Sequence, residues 1–308
     1  MIGKIPVGAT IVRAYGFAFG NIVSNLGAIW IPAVLLWVAM YFFYRPHSSM
    51  AVQAAFGDPQ AMARALPYFF AAFLVMFVLL TCQMAALTKE ALGLRTGNAF
   101  MQFPFGAPMW RLLANYVLFA LAMIAIYFAV FVALLVGALM LGLVASQISG
   151  TAEKLILALV SAIGVIVVLC GTAYAAVRLS FLLAPVAVAE QRVTIVRGWQ
   201  LTRGNFWRIF AILLSVLIPL IMLDLIYVYA IYGGDFLPPM GAGPDALAQW
   251  QQHQRQIAAA AMERTQQYWY IIYPLGLLIG TVLYGLFAAI SAFGYRALVP
   301  LHHVEKSA

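Results

Sequence analysis

The sequence predicts an all-α polytopic membrane helix bundle, with six transmembrane helices, amphipathic helices lying at the cytoplasmic interface, and internal pseudo-repeats. Three observations predict it. Of the 308 residues, 65% are apolar and 8% charged, against about 45–50% and about 25% in a soluble domain. The apolar residues gather into six runs that approach or exceed the roughly 20 needed for a helix to cross a bilayer. None of the runs alternates polar and apolar positions as a barrel strand would.

The first run follows an amphipathic approach. Residues 11–21 read IVRAYGFAFGN. Wound at about 100° per residue, Ile11, Tyr15, Ala18, Ile22 and Leu26 share one face, and Arg13, Gly20 and Ser24 lie opposite. Span one, residues 26–44, is too long for a signal-peptide core and lacks a convincing cleavage site, so it reads as an uncleaved signal anchor. Span two covers residues 66–88. Aromatic residues at 41–44 and 68–70 mark the outer water boundary, where amphipathic rings settle at head-group level.

Before span three, residues 112–145, Pro104 and Pro108 break any long helix, which predicts a loop or short helix there. Span four, residues 155–177, ends at Arg178, read as marking the inner head-group plane with its stem snorkelling along apolar surface. The apolar residues 179–189 then either extend the helix at a tilt or fold back along the interface. Cys82 and Cys170 fall inside spans, read as buried apolar packing, and imply neither a disulfide nor a metal pair.

Span five covers residues 206–232 and span six residues 268–295, with Tyr227, Tyr229, Tyr270 and Tyr273 at their outer ends and Trp110, Trp199 and Trp207 along the inner belt. The loop between these spans opens with prolines and glycines. Asp245 there is read as the N-cap of a polar helix, and Pro274 as kinking or delimiting the junction with span six. Gly276 and Gly280 form a GxxxG pair, read as close packing within the bundle, with a dimer seam as the other reading.

The approach to span five repeats the approach to span one. Residues 195–205 read IVRGWQLTRGN, identical to 11–21 at five of eleven positions. Ile195, Trp199, Thr202, Phe206 and Phe210 fall on one face, with Arg197, Gly204 and Arg208 opposite. Gly-Asn occurs at 20–21, 97–98 and 204–205, each time ahead of an odd-numbered span. This suggests three units within a single membrane domain, at about residues 1–90, 91–190 and 191–308.

Charge sets the orientation. With the N-terminus cytoplasmic, twelve Lys and Arg residues lie inside and five outside, so both termini are expected in the cytoplasm. The net charge of +8 then faces anionic lipid head groups and is not a nucleic-acid footprint.

The strongest candidate site is the basic segment holding Arg192, Arg197, Arg203 and Arg208 with Trp199 and Trp207, beside Arg178. At about 1 kcal/mol per cation near an anionic leaflet, four arginines would contribute roughly 4 kcal/mol to an interfacial helix. Two readings fit: specific binding of lipid head groups, or a purely topological signal that keeps the loop inside. Asp224 is the one acidic residue within a span, and it lies late in span five beside Tyr227. It lacks an evident intramembrane partner for a proton relay, so a structural or water-exposed role stands beside a functional one. His47, His253, His302 and His303 form no metal-ligand pattern, and no Walker loop, dinucleotide turn or GxSxG elbow exists. No cofactor, metal or catalytic residue is therefore expected.

The segment RLSFLLAPVAVAEQRVTIVRGWQLTRGNFWRIF, residues 178–210, resembles a signature of bacterial inner-membrane families. These include the YciC-like proteins and the membrane domain that precedes the catalytic barrel in some glycerophosphodiester phosphodiesterases. Trp199, Leu201, Gly204 and Trp207 match its SW-x-L-x-x-G-x-x-W pattern, and Gly198 replaces the usual Ser. The resemblance implies a six-helix protein of the bacterial inner membrane and brings no catalytic residues; six spans occupy the chain and leave no room for a barrel.

The function expected on these grounds is non-enzymatic engagement of membrane lipids, organising or moving them through the basic interfacial helices. The alternatives are a scaffold for a membrane protein partner and a secondary transporter. Repeats favour the transporter; the scarcity of intramembrane polar residues weighs against it.

Overall fold

The structure, a computed structural model, describes residues 3–44, 59–95, 105–145, 150–232 and 243–299. Among these residues there are ten helices and no strand: α1 Val7–Gly20, α2 Ile22–Tyr44, α3 Pro59–Ala91, α4 Ala107–Ala145, α5 Thr151–Ser180, α6 Leu183–Ala189, α7 Val196–Leu201, α8 Phe206–Tyr232, α9 Pro244–Gln267 and α10 Trp269–Leu298. Six helical stretches, in α2, α3, α4, α5 to α6, α8 and α10, are long and apolar enough to cross a membrane. The chain is a multi-pass membrane protein of the all-α class. Hydrocarbon offers no partner for backbone N–H and C=O groups, so each crossing must satisfy its own, and uninterrupted helices do so.

The helices run alternately up and down. The start of α2 meets the end of α3, where Ser24 Oγ donates to Glu90 at 2.8 Å. The start of α4 meets the residues after α6, where Arg111 donates to Gln191 at 3.2 Å. The end of α10 meets both neighbouring turns, since Tyr295 donates to Glu190 at 3.1 Å and Arg296 to the Leu92 carbonyl. These contacts gather the basic residues of the approaches at one end of the bundle. At the far end Trp37 of α2 stacks on Tyr273 of α10 with ring centres 5.5 Å apart.

Helices α2, α3 and α10 pack most closely, and α1 lies across α10 and α8. Glycines on α10 permit this. A Cβ on Gly294 would stand 2.7 Å from the Phe181 ring, and one on Gly285 would touch Ala18 and Asn25. The GxxxG pair does not pack within the bundle as its spacing suggests. A Cβ on Gly276 would meet nothing, and one on Gly280 only Tyr284 of its own helix. The glycines that matter lie where α1 and the turn after α5 press on α10.

Of residues 179–189, only the first two extend α5, and the rest do not lie along an interface. The chain turns at Phe181 and Leu182 and enters α6, all seven of whose residues are buried against α3, α4 and α10. A run without a polar residue has no face to offer water, so burial on every side is its stable placement. Pro185 is the third residue of α6, where a missing N–H leaves no helical hydrogen bond unmade. Cys82 is buried, but Cys170 is exposed on α5, a helix whose far half has apolar side chains exposed on every face, among them Ile163, Val165, Ile166, Val167 and Leu169. The α8 residues from 217 to 226 are exposed likewise. Lipid chains are the environment that accepts such surfaces.

Two further expectations change in detail. Gly243 is the N-cap of α9 and Pro244 its first residue, which places Asp245 in the first turn. Proline favours the first helical position because its φ is preset and its N–H is not needed. Pro274 lies inside α10, which begins at Trp269, and does not delimit it. Gly97 and Asn98 of the middle unit lie outside the described residues.

Candidate functional site at the basic end

Both approach segments form a short helix, a corner and a span, and the Gly-Asn pair makes each corner. The approach does not wind as one helix into the span. In the first copy α1 closes at Gly20, and the Asn21 carbonyl accepts the Asn25 N–H at 2.8 Å to open α2. In the second, α7 ends at Leu201, Gly204 adopts a left-handed φ of 77°, and the Asn205 carbonyl accepts the Ile209 N–H at 2.9 Å. Glycine takes this φ without the penalty a Cβ would bring. The two asparagines thus begin their spans equivalently.

Arg178, in the last turn of α5, does not snorkel to a head-group plane. It is 5% exposed. Its Nη2 donates to the Trp199 carbonyl at 2.6 Å, Nη1 to Tyr174 Oη at 2.8 Å and Nε to Thr202 Oγ1 at 3.3 Å. The guanidinium carbon lies 3.8 Å from the centre of the Trp199 ring and 5.4 Å from that of Tyr174. A planar cation with five donors suits this enclosure, and the two rings supply attraction where water is absent. The effect is to fasten α7 to the end of α5.

The other sequence-flagged residues divide into two groups. Arg197 Nε lies 3.1 and 3.2 Å from the Glu190 carboxylate oxygens, and the Tyr295 hydroxyl donates to the same carboxylate. Arg208 donates to the Ile5 carbonyl at 2.9 Å. Arg192, Arg203 and Trp207 are exposed, Trp207 to 76%. The structure therefore brings Arg178 and Trp199 together, joins Arg197 and Arg208 to protein partners, and leaves Arg192, Arg203 and Trp207 facing outward around the α7–α8 corner. Asp224 is exposed on α8, 18 residues beyond Phe206, or about 27 Å along the axis, so it belongs to no part of this region.

Asn205 carries a role its sequence position did not disclose. Its side chain accepts the Ile5 N–H at 3.1 Å and donates to the Gly3 carbonyl at 3.0 Å. The residues before α1 are thus held to the corner of the second copy. Tyr15 of α1 adds a bond from its hydroxyl to the Ser215 carbonyl at 2.8 Å. Each copy of the echo thus touches residues that flank the other.

A second cluster was not foreseen. Lys4, Pro6, Ala9, Thr10 and Arg13 from the start of α1, with Phe293, Arg296 and Ala297 from the end of α10, line a cavity of about 320 Å³. Three cations and, among the described residues, no carboxylate face it. Lys4 and Arg296 enter the sequence reading through the charge balance that sets topology and Arg13 through the echo, because 283 residues separate Arg13 from Arg296 and nothing local signals that they converge. Compared with protein-family models, with curated proteins and with solved structures, the chain matches none.

Proposed function

We propose that this membrane protein is non-enzymatic and engages anionic lipid head groups at the cytoplasmic face of a bacterial inner membrane, organising or moving lipids through its α7–α8 corner. The observation that carries this reading is the exposure of Trp207 beside Arg203 at the start of a lipid-length apolar helix. An indole favours the head-group layer, and arginines beside it add about 1 kcal/mol each on an anionic leaflet. Arg192 is exposed on the preceding connection, between α6 and α7. The internally engaged Arg178, Arg197 and Arg208 hold the corner in shape. The motif resemblance of residues 178–210 supports the bacterial inner-membrane setting, and the excess of cations at this end supports a cytoplasmic orientation.

The test is lipid retention. Changing Arg192 and Arg203 to Gln and Trp207 to Ala together should lower co-purified anionic lipid in native mass spectrometry by about twentyfold or more, as the loss of two surface cations at about 1 kcal/mol each plus an anchor implies. An unchanged lipid complement in a correctly inserted variant would remove the reading. A reporter fused after Ala308 checks orientation; a periplasmic signal would reverse it.

A scaffold role is the second reading. It is favoured by Gly276 and Gly280, where an added Cβ would meet no other described helix. Crosslinking through cysteine at Ile279, exposed on the same helix, would capture a partner helix on that reading and none on the first.

A further inference from the structure

We propose that the cavity between the start of α1 and the end of α10 binds a phosphate-bearing anion through Lys4, Arg13 and Arg296. This site is separate from the α7–α8 corner and goes beyond the lipid contact assigned there.

Charge is the first reason. Among the described residues Lys4 and Arg13 are exposed and make no ion pair, and no carboxylate lines the cavity. The corresponding cation of the second echo copy, Arg197, is neutralised by Glu190 at 3.1 Å. Arg13 has instead a like charge across the cavity, for Arg13 and Arg296 repel each other. Such an arrangement raises the energy of the empty site, and an anion between the two guanidinium groups lowers it.

Unfilled donors are the second. Arg296 gives Nη2 to the Leu92 carbonyl, while its Nε has no hydrogen-bond partner among the described residues. A buried donor left unmatched is costly, and an arginine edge that keeps free N–H groups suits a phosphate oxygen. The start of α1 adds further donors. Its first intrahelical bond runs from Thr10 N–H to the Pro6 carbonyl, no side chain caps it and its first turn holds no acid. The N–H groups of Val7, Gly8 and Ala9 therefore lack helical acceptors, at the end of the helix that carries partial positive charge. At about 320 Å³ the cavity is at the small end of ligand pockets, suited to a phosphate group and little of what bears it.

The phosphate could belong to a phospholipid head group or to a soluble molecule, and the experiment separates them. The full chain is placed in nanodiscs of phosphatidylcholine and titrated with inorganic phosphate, and in parallel placed in nanodiscs containing phosphatidylglycerol and assayed for retained lipid. The variants are Arg13→Gln, whose side chain is exposed and has no partner to lose among the described residues, and Arg296→Lys, which keeps the charge but removes the fork. Phosphate binding that falls at least tenfold in both variants assigns a soluble ligand. Phosphatidylglycerol retention that falls at least tenfold in both, with no phosphate binding, assigns a lipid head group. If neither probe distinguishes Arg13→Gln from the parent, the site is overturned. In the phosphatidylcholine nanodiscs the Arg203→Gln and Trp207→Ala changes should leave phosphate binding unaltered, and loss of phosphatidylglycerol counts toward the cavity only where Arg13→Gln lowers it further in a chain already carrying both corner changes, so failure here and failure of the corner reading are told apart.

Discussion

Arg178 and Trp199 are joined twice: the guanidinium carbon lies 3.8 Å from the centre of the indole, and its Nη2 donates to the Trp199 backbone carbonyl at 2.6 Å. The contact fixes where α7 sits, and with it the outward direction of the corner that follows. A cation used this way stabilises the fold, its donors already taken by Trp199, Tyr174 and Thr202.

Replacing Arg178 by Lys should therefore destabilise the protein by about 2–3 kcal/mol, because an ammonium offers neither the plane for stacking nor the fork for three acceptors. Unfolding of detergent-solubilised protein would measure it. A double-mutant cycle with Trp199→Leu should give a coupling of about 1–2 kcal/mol. A lysine variant as stable as the parent, or a loss seen only with anionic lipid present, would contradict the structural role.

Asn205 and Asn21 occupy the same place in the echo, yet only Asn205 is buried and bonded to the N-terminal residues. Asn205→Ala leaves the Ile5 N–H and the Gly3 carbonyl without partners and should cost about 2 kcal/mol. Asn21→Ala, at an exposed corner, should cost well under 1 kcal/mol. Hydrogen exchange would show the difference locally. The Ile5 amide should exchange much faster in the first variant and at the parent rate in the second.

Gly294→Ala should be among the most disruptive small changes in the chain, since the new methyl would stand 2.7 Å from Phe181. Overpacking of this kind costs about 1–3 kcal/mol. Gly276→Ala, with nothing to meet, should be neutral in thermal stability. Pairing Gly294→Ala with Phe181→Leu should recover part of the loss by making room. Equal melting temperatures for the two alanine variants would argue against the packing described.

The pattern of success and failure in reading this sequence has a common cause. Span limits near 26–44 and 206–232 were legible because apolar length is a local property, and the structure sets the corresponding helices at Ile22–Tyr44 and Phe206–Tyr232. The placement of α6 was not legible. Its seven apolar residues are equally compatible with a lipid face, an interface or a core, and only neighbours from α3, α4 and α10 select the core. The GxxxG spacing misled for the same reason, since two small residues on one face do not specify what, if anything, approaches them.

Charge shows the division most clearly. The sequence by itself determined that this is a helical, multi-pass membrane protein with cations concentrated on the approaches to its spans, because bilayer thickness dictates helix length and composition residue by residue. Only the tertiary structure decided which of those cations are already occupied. Arg178 is enclosed by aromatic rings, Arg197 meets Glu190 and Arg208 reaches Ile5, whereas Lys4, Arg13 and Arg296 converge with no carboxylate among them. The second copy of the echo carries more positive charge than the first, with Arg203 where the first has Phe19. Compensation between charges falls off over a few ångströms of space and is indifferent to separation along the chain, so among the described residues each copy keeps one arginine without a carboxylate, Arg13 in the first and Arg203 in the second, while Arg197 is paired.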